Sequence, residues 1–317
     1  MNSIELTDEN LAEISNKAHP INEFEYLVTS HQSEVRTHVA KNPHLPQQFA
    51  RWMIDDVRQE VRAALASNPA LGEELIEELA EGSNLAVLAG LASNPKLAEK
   101  HLKKLGQHRS YLVRDAVAAN PNSPDELLHA LRLDPIWGVR RRVAANQKSS
   151  TETLKLLTGD SSYEVLSALA ENNKSTHEIL TILFDASDRT ESEVNALKNT
   201  CLQNMSFAED QAMLIYKEAL QPSDDPEDQY LMHSSEIRIA IAKRLNLSDL
   251  FIELIMNDPY YIVRGYLAKN ECVKDMYLSR LALDPEQSVR SDVVQNSNAS
   301  ETTKASAILL GVDQDEE

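Results

Sequence analysis

The phrase Val-Arg-x-x-Val-Ala-x-Asn returns along this chain every 26 residues, and a repeat that regular leaves few folds open. Six consecutive copies keep the interval, beginning at Val35, Val61, Val87, Val113, Val139 and Val165. Ile237, Val263 and Val289 resume it further on. Self-similarity at this scale marks stacked supersecondary units, each of which buries an apolar face only against its neighbours. On a helical wheel the two Val and the Ala fall at roughly 0°, 40° and 140°, so they define one packed arc. The Arg falls inside that arc, which places its stem along the next helix with the guanidinium at the edge.

Each unit divides into two short helices. Asp134-Pro135, repeated in phase by Asp258-Pro259 and Asp284-Pro285, reads as an N-cap followed by Pro at the first helical position. The Asn of the phrase, followed by Pro in Asn42-Pro43, Asn68-Pro69, Asn94-Pro95 and Asn120-Pro121, reads as a helix stop in the left-handed conformation. Ser123-Pro124-Asp125-Glu126 then opens a second helix, with Ser as cap. Helices of this length are marginal alone and must be held by stacking.

The run V-R-x-x-V-A-x-N-P, then x-x-P-x-E-L-L-x-x-L-x-x-D-P, resembles the leucine-rich repeat variant family over about residues 30–180 and 236–300. The resemblance implies an all-α, right-handed α-solenoid or superhelix with no β-sheet, here of about ten two-helix, HEAT-like repeats. It implies macromolecular binding and supplies no catalytic residues. The unit of 26 residues is slightly longer than that family's, which predicts a fully α second helix. Some members carry a cysteine-rich metal-binding segment; this chain has only Cys201 and Cys272, so no cluster is carried over. The Val-Arg phrase is also similar to motifs in DNA alkylation-repair glycosylases built from HEAT-like repeats.

The phase breaks between the sixth copy and Ile237. The expected organisation is an N-terminal helical cap over 1–29, six regular copies over 30–183, and a degenerate repeat over 184–235. Three regular copies follow over 236–300, and a cap with an acidic tail over 301–317. The degenerate stretch shows a faint copy at Leu197…Cys201-Leu202-x-Asn204, a longer helix from Ala208 to Leu220, and an acidic loop over 221–228. That loop reads either as a tolerated insertion or as a binding element.

Charge narrows the partner. The net charge of −19 opposes general binding to phosphate backbones. Residues 101–150 alone are basic, with nine Lys and Arg against four Asp and Glu. Two positions before the leading Val of successive copies stand Tyr111, Trp137 and Tyr163, beside Arg114, Arg140, Arg141 and Arg142. Aromatic and Arg side chains together make interface hot spots. Packing of the rings against the next repeat is the competing reading. Arg141 and Arg142 lie outside the packed arc and are the strongest candidates for contact with a partner. For the recurrent Arg and Asn, structural roles are expected: Arg bonding a neighbouring carbonyl or carboxylate, and Asn forming a stacked ladder.

No nucleophile elbow, phosphate loop or HExxH occurs, and the histidines do not cluster in sequence with ligand residues. The expectation is a non-catalytic, cofactor-free and metal-free scaffold or adaptor in the cytoplasm, away from membranes. Its partner would be a protein or peptide with a basic surface. The alternative is a nucleic-acid-binding protein of the DNA-repair kind. Composition fixes no oligomeric state.

Overall fold

The computed structural model describes residues 7–187, 189–220 and 232–311; the acidic 221–228 loop lies outside them. Contacts group the chain into two compact units, Met1–Ala168 and Leu169–Glu317.

The first unit holds α1 Asp8–Asn16, α2 Ile21–Val28, α3 Ser33–Lys41, α4 Gln47–Met53, α5 Gln59–Ala66 and α6 Glu73–Glu81. It continues with α7 Leu85–Ala92, α8 Glu99–Gly106, α9 Tyr111–Ala119, α10 Asp125–Leu131, α11 Trp137–Ala145 and α12 Thr151–Leu156. After α13 Tyr163–Glu171, the second unit holds α14 His177–Phe184, α15 Glu191–Gln203, α16 Glu209–Glu218, α17 Met232–Ala242 and α18 Asp249–Met256. It ends with α19 Tyr261–Lys269, α20 Asp275–Leu281, α21 Gln287–Gln295 and α22 Glu301–Leu309. The described residues contain 22 helices and no strand, an all-α solenoid of ten helix pairs preceded by a further pair. The second helix of each pair is α, as its length required. No described helix is long and apolar enough to cross a membrane.

From α3 onward the odd-numbered helices carry the repeated phrase and form the more closely packed row in each unit. Their Val, Val and Ala positions are fully buried at Val35, Val39 and Ala40 and at Val139, Val143 and Ala144, whereas Ile237 and Val294 are half-buried. At the tightest approach, a Cβ on Gly90 of α7 would lie 2.3 Å from the Ala63 carbonyl of α5, so only glycine fits there.

Three local expectations are corrected. The ladder Asn residues are not left-handed: Asn42 has φ −64° and ψ 121°, Asn120 −67° and 127°, and among the described residues only glycine has positive φ. The helix stops because the chain turns extended and the Asn side chain takes over the hydrogen bonding. Asn68 Nδ2 donates to the Ala40 and Asn42 carbonyls of the preceding repeat at 2.7 and 2.8 Å, while its Oδ1 accepts the Ala70 N–H at 2.8 Å. The same three bonds recur at Asn42, Asn94, Asn120 and Asn146, and again at Asn204, Asn270 and Asn296. The expected ladder is therefore present, with each rung tied to the one before.

Nor does Asp-Pro start the helix. Asp134 lies three residues ahead of Trp137 and folds back to accept the Ile136 N–H at 2.9 Å, an Asx turn that leads the chain into α11. Ser123 likewise is not the cap of α10; Pro124 is, and the buried Ser123 hydroxyl donates to the Val117 carbonyl at 2.5 Å.

The irregular stretch keeps the ladder by a substitution. Arg244 stands where Asn is due after Ile237, and its buried side chain reaches the Leu202 carbonyl at 3.0 Å and the Phe207 carbonyl at 2.7 Å. The expected longer helix is α16, whose buried Tyr216 hydroxyl donates to Asp258. The longest helix of the stretch is α15, with Leu197, Cys201 and Leu202 buried at the Val, Val and Ala positions.

Candidate partner-binding face

Within each unit, a motif helix and the short loop that leads into it make one edge of its repeat. The recurrent Arg works at this edge. Arg114 donates Nε and Nη2 to Asp134 at 2.5 and 3.0 Å and Nη1 to the His108 carbonyl at 3.0 Å. Arg140 repeats this on Asp160 at 2.6 and 2.9 Å and on the Asp134 carbonyl at 2.8 Å. Arg36 with Asp56, and Arg264 with Asp284, do the same, and Arg238 bonds both oxygens of Asp258. The acid always lies 20 residues downstream, at the loop of the following repeat.

These pairs shift titration in a consistent sense. Burial alone would raise the Asp134 carboxyl, but the Arg114 hydrogen bonds, the Ile136 N–H and the fields of Arg114 and Arg140 outweigh it and hold it below the usual carboxylate range. Asp56 is held low in the same way by Arg36 and the Arg58 N–H, against burial. Hydrogen bonding to Asp134 raises Arg114, and to Asp160 raises Arg140.

Of the residues singled out from sequence, Arg114 and Arg140 thus have their guanidinium groups committed inside the stack, with side chains about one-seventh exposed. Tyr111 and Trp137 open α9 and α11 and are 50% and 49% exposed, while Tyr163 at the start of α13 is half-buried. Arg142 is exposed and does have a structural partner, Asp115 of the preceding motif helix, at 3.4 Å. Arg141 is exposed, and among the described residues its side chain meets no acidic or carbonyl partner.

Three further side chains extend the aromatic edge: Leu85, Leu112 and Ile136 are all exposed. Leu85 was legible, since it occupies the same offset before Val87 as Tyr111 does before Val113. Leu112 and Ile136 flank that offset and carry no periodic signal. Leu85, Tyr111 and Trp137 thus stand exposed at one offset of three successive repeats of the first unit, an apolar ridge by register, with Arg141 one helical turn after Trp137 on α11.

One polar cluster was hidden by sequence distance. His101 Nε2 lies 3.3 Å from a Glu73 carboxylate oxygen, with Glu77 adjacent. The Lys100 ammonium sits 2.7 Å from Glu73 and 2.9 Å from Glu77, so a cation is already supplied by the chain. Burial pushes the Cys201 thiol up to about 12, which removes it as a nucleophile near neutral pH.

No family model matches the chain, and no curated protein does. Among solved structures, the chain is similar to a leucine-rich repeat variant described as having a novel repetitive protein structural motif. That similarity has 24% identity over 57% of this chain and 72% of the other, with a TM-score of 0.41. The fold assignment rests on this chain's own helices and ladders.

Proposed function

We propose that this scaffold-like repeat protein is a non-catalytic adaptor of a reducing, cytoplasmic compartment whose ridge grips a peptide segment of another protein. The observation that carries the reading is the half-exposed Tyr111 and Trp137 column with the unengaged Arg141 beside it. Rings exposed on a rigid helical row bury area at small entropic cost, and Arg adds a directional charge contact. The segment that fits carries an apolar or aromatic anchor next to an acidic residue. A partner basic elsewhere suits the −19 charge of the whole chain.

Panning a displayed peptide library against the folded protein tests this. Enriched sequences should pair an apolar anchor with Asp or Glu. Their affinity should fall about tenfold or more with Trp137→Ala or Arg141→Glu, the range of an interface hot spot, without change in the melting temperature. Peptides that bind both variants as tightly as the parent would contradict the proposal. A mobility shift of DNA at low salt that Arg141→Glu abolishes would favour nucleic-acid binding instead.

A further inference from the structure

The pairing of motif Arg with downstream Asp has one exception that points to a ligand. Arg36, Arg114, Arg140, Arg238 and Arg264 each hold an Asp 20 residues on. Arg290, in the last repeat, donates instead to the Leu310 and Gly311 carbonyls at 3.0 and 3.1 Å. Where Leu replaces the Arg, at Leu88 and Leu166, the acid is gone too: His108 and Ala186 occupy its place. Arg and an acceptor 20 residues on thus come and go together, with the Leu310 and Gly311 carbonyls standing in for Asp at Arg290, except at Arg62. Its partner position is Gly82.

The rest of the device is intact there. Gly82 donates its N–H to the Leu79 carbonyl at 3.2 Å, as Asp134 does to Leu131 at 3.0 Å, although α6 runs on to Glu81 where α10 stops at Leu131. Arg62 Nη1 donates to the Asp56 carbonyl, as its counterparts do. Two donor groups that a carboxylate takes elsewhere are left over. Nε and Nη2 of Arg62 have no acceptor among the described residues, and neither does the Asn84 N–H, the equivalent of the Ile136 N–H that Asp134 accepts. A cleft of about 360 Å³ opens at this point, and Arg62, Gly82 and Asn84 line it together with the apolar Ile54, Leu79 and Val87.

We infer that Arg62, Gly82 and Asn84 form a binding site for a carboxylate brought by another molecule. The group enters where the side chain of Asp would lie, taking a bidentate bond from Nε and Nη2 and a third bond from the Asn84 N–H. Ile54, Leu79 and Val87 receive the carbon chain behind it. Asp55 and Glu78 also face the cleft. Glu78 is engaged by Arg51, and Asp55 adds a negative charge to the lining that opposes a dianion such as phosphate more strongly than a monoanion. The site stands independently of the ridge, since its evidence is the register of Arg62 and Gly82.

Titration of the ¹⁵N-labelled full chain with sodium acetate and sodium butyrate, at ionic strength fixed with NaCl, tests the inference. Saturable shifts of the Arg62 Nε–H and Asn84 N–H resonances are expected, with butyrate binding severalfold tighter because its chain is buried. Arg62→Gln should weaken acetate by about tenfold or more, the value of hydrogen bonds to a charged group. Gly82→Asp supplies the carboxylate internally, with its Cβ 3.2 Å from the Leu79 carbonyl, so it should abolish the acetate response. A blocked peptide with an Asp side chain and one with a free C-terminus distinguish the source: tighter binding than butyrate by either assigns the site to peptides, otherwise to small acids. Shifts that fail to saturate, that persist in Gly82→Asp, or that inorganic phosphate reproduces at equal concentration would overturn the inference.

Discussion

Replacing Asp134 by Ala removes the carboxylate that takes Arg114 Nε and Nη2 at 2.5 and 3.0 Å and the Ile136 N–H at 2.9 Å. The Arg114 side chain it leaves is 14% exposed, too little to regain full hydration. Breaking a buried pair from one side costs about 3–5 kcal/mol, and contact with water at the edge favours the lower end, about 3 kcal/mol. Arg114→Leu alone strands a carboxylate whose side chain is 3% exposed and should cost about as much. The double variant copies a combination the chain itself uses, Leu166 with Ala186, and leaves no orphan charge. It should cost about 2 kcal/mol instead of the additive 6 or so, a coupling of about 3–4 kcal/mol. Urea unfolding followed by circular dichroism, with slopes compared across all four proteins, measures the cycle. Costs that add to within about 0.5 kcal/mol would refute the idea that these two positions form one unit.

Acid should weaken the stack in a defined window. Asp56 and Asp134 have lowered folded pKa values, so the stability they contribute is fully present above the ordinary carboxylate value of about 3.9 and is lost as pH falls through the lowered one. The urea midpoint should hold between about pH 7 and 5 and drop below about pH 4; a steady decline across the upper range would count against these pairs. Asn120→Ala strips the Ala92 and Asn94 carbonyls and the Asn122 N–H of their partner, and should cost about 3 kcal/mol in the same assay. Arg244→Asn is too short to reach the Leu202 and Phe207 carbonyls. Faster hydrogen exchange is expected around 202–207, with amides of the first unit unchanged.

The architecture was legible because the interval is rigid and the packed residues, Val, Val and Ala, lie on one helix where a wheel can place them. The Asn ladder was legible for the same reason: one residue type at one phase. Partners across the stack were not. The carboxylate for Arg114 lies at Asp134, in the loop of the next repeat, and a wheel drawn for a single helix shows no neighbour. Arg142 read as unneeded because Asp115, its partner, belongs to the preceding motif helix. The conformation of Asn120 was misjudged because Asn tolerates the left-handed region, whereas here its side chain bonds make that conformation unnecessary. Arg244 was hidden by the broken phase, since counting from Ile237 puts a charged residue on a buried rung. The positions Leu85, Tyr111, Trp137 and Tyr163 could be read from their shared offset, whereas Leu112 and Ile136 could not. Their exposure depended on packing that no spacing reports.

Amide hydrogen exchange on the native protein tests the central claim, that side chains bridging one repeat to the next hold this stack together. The N–H groups of His44, Ala70, Lys96, Asn122 and Lys148 sit in loops, yet each is accepted by a ladder Asn at 2.8–2.9 Å. Protection should therefore recur at these five loop positions, one every 26 residues, and vanish at Asn122 in the Asn120→Ala variant. Exchange at these amides as fast as at the neighbouring loop residues would contradict it.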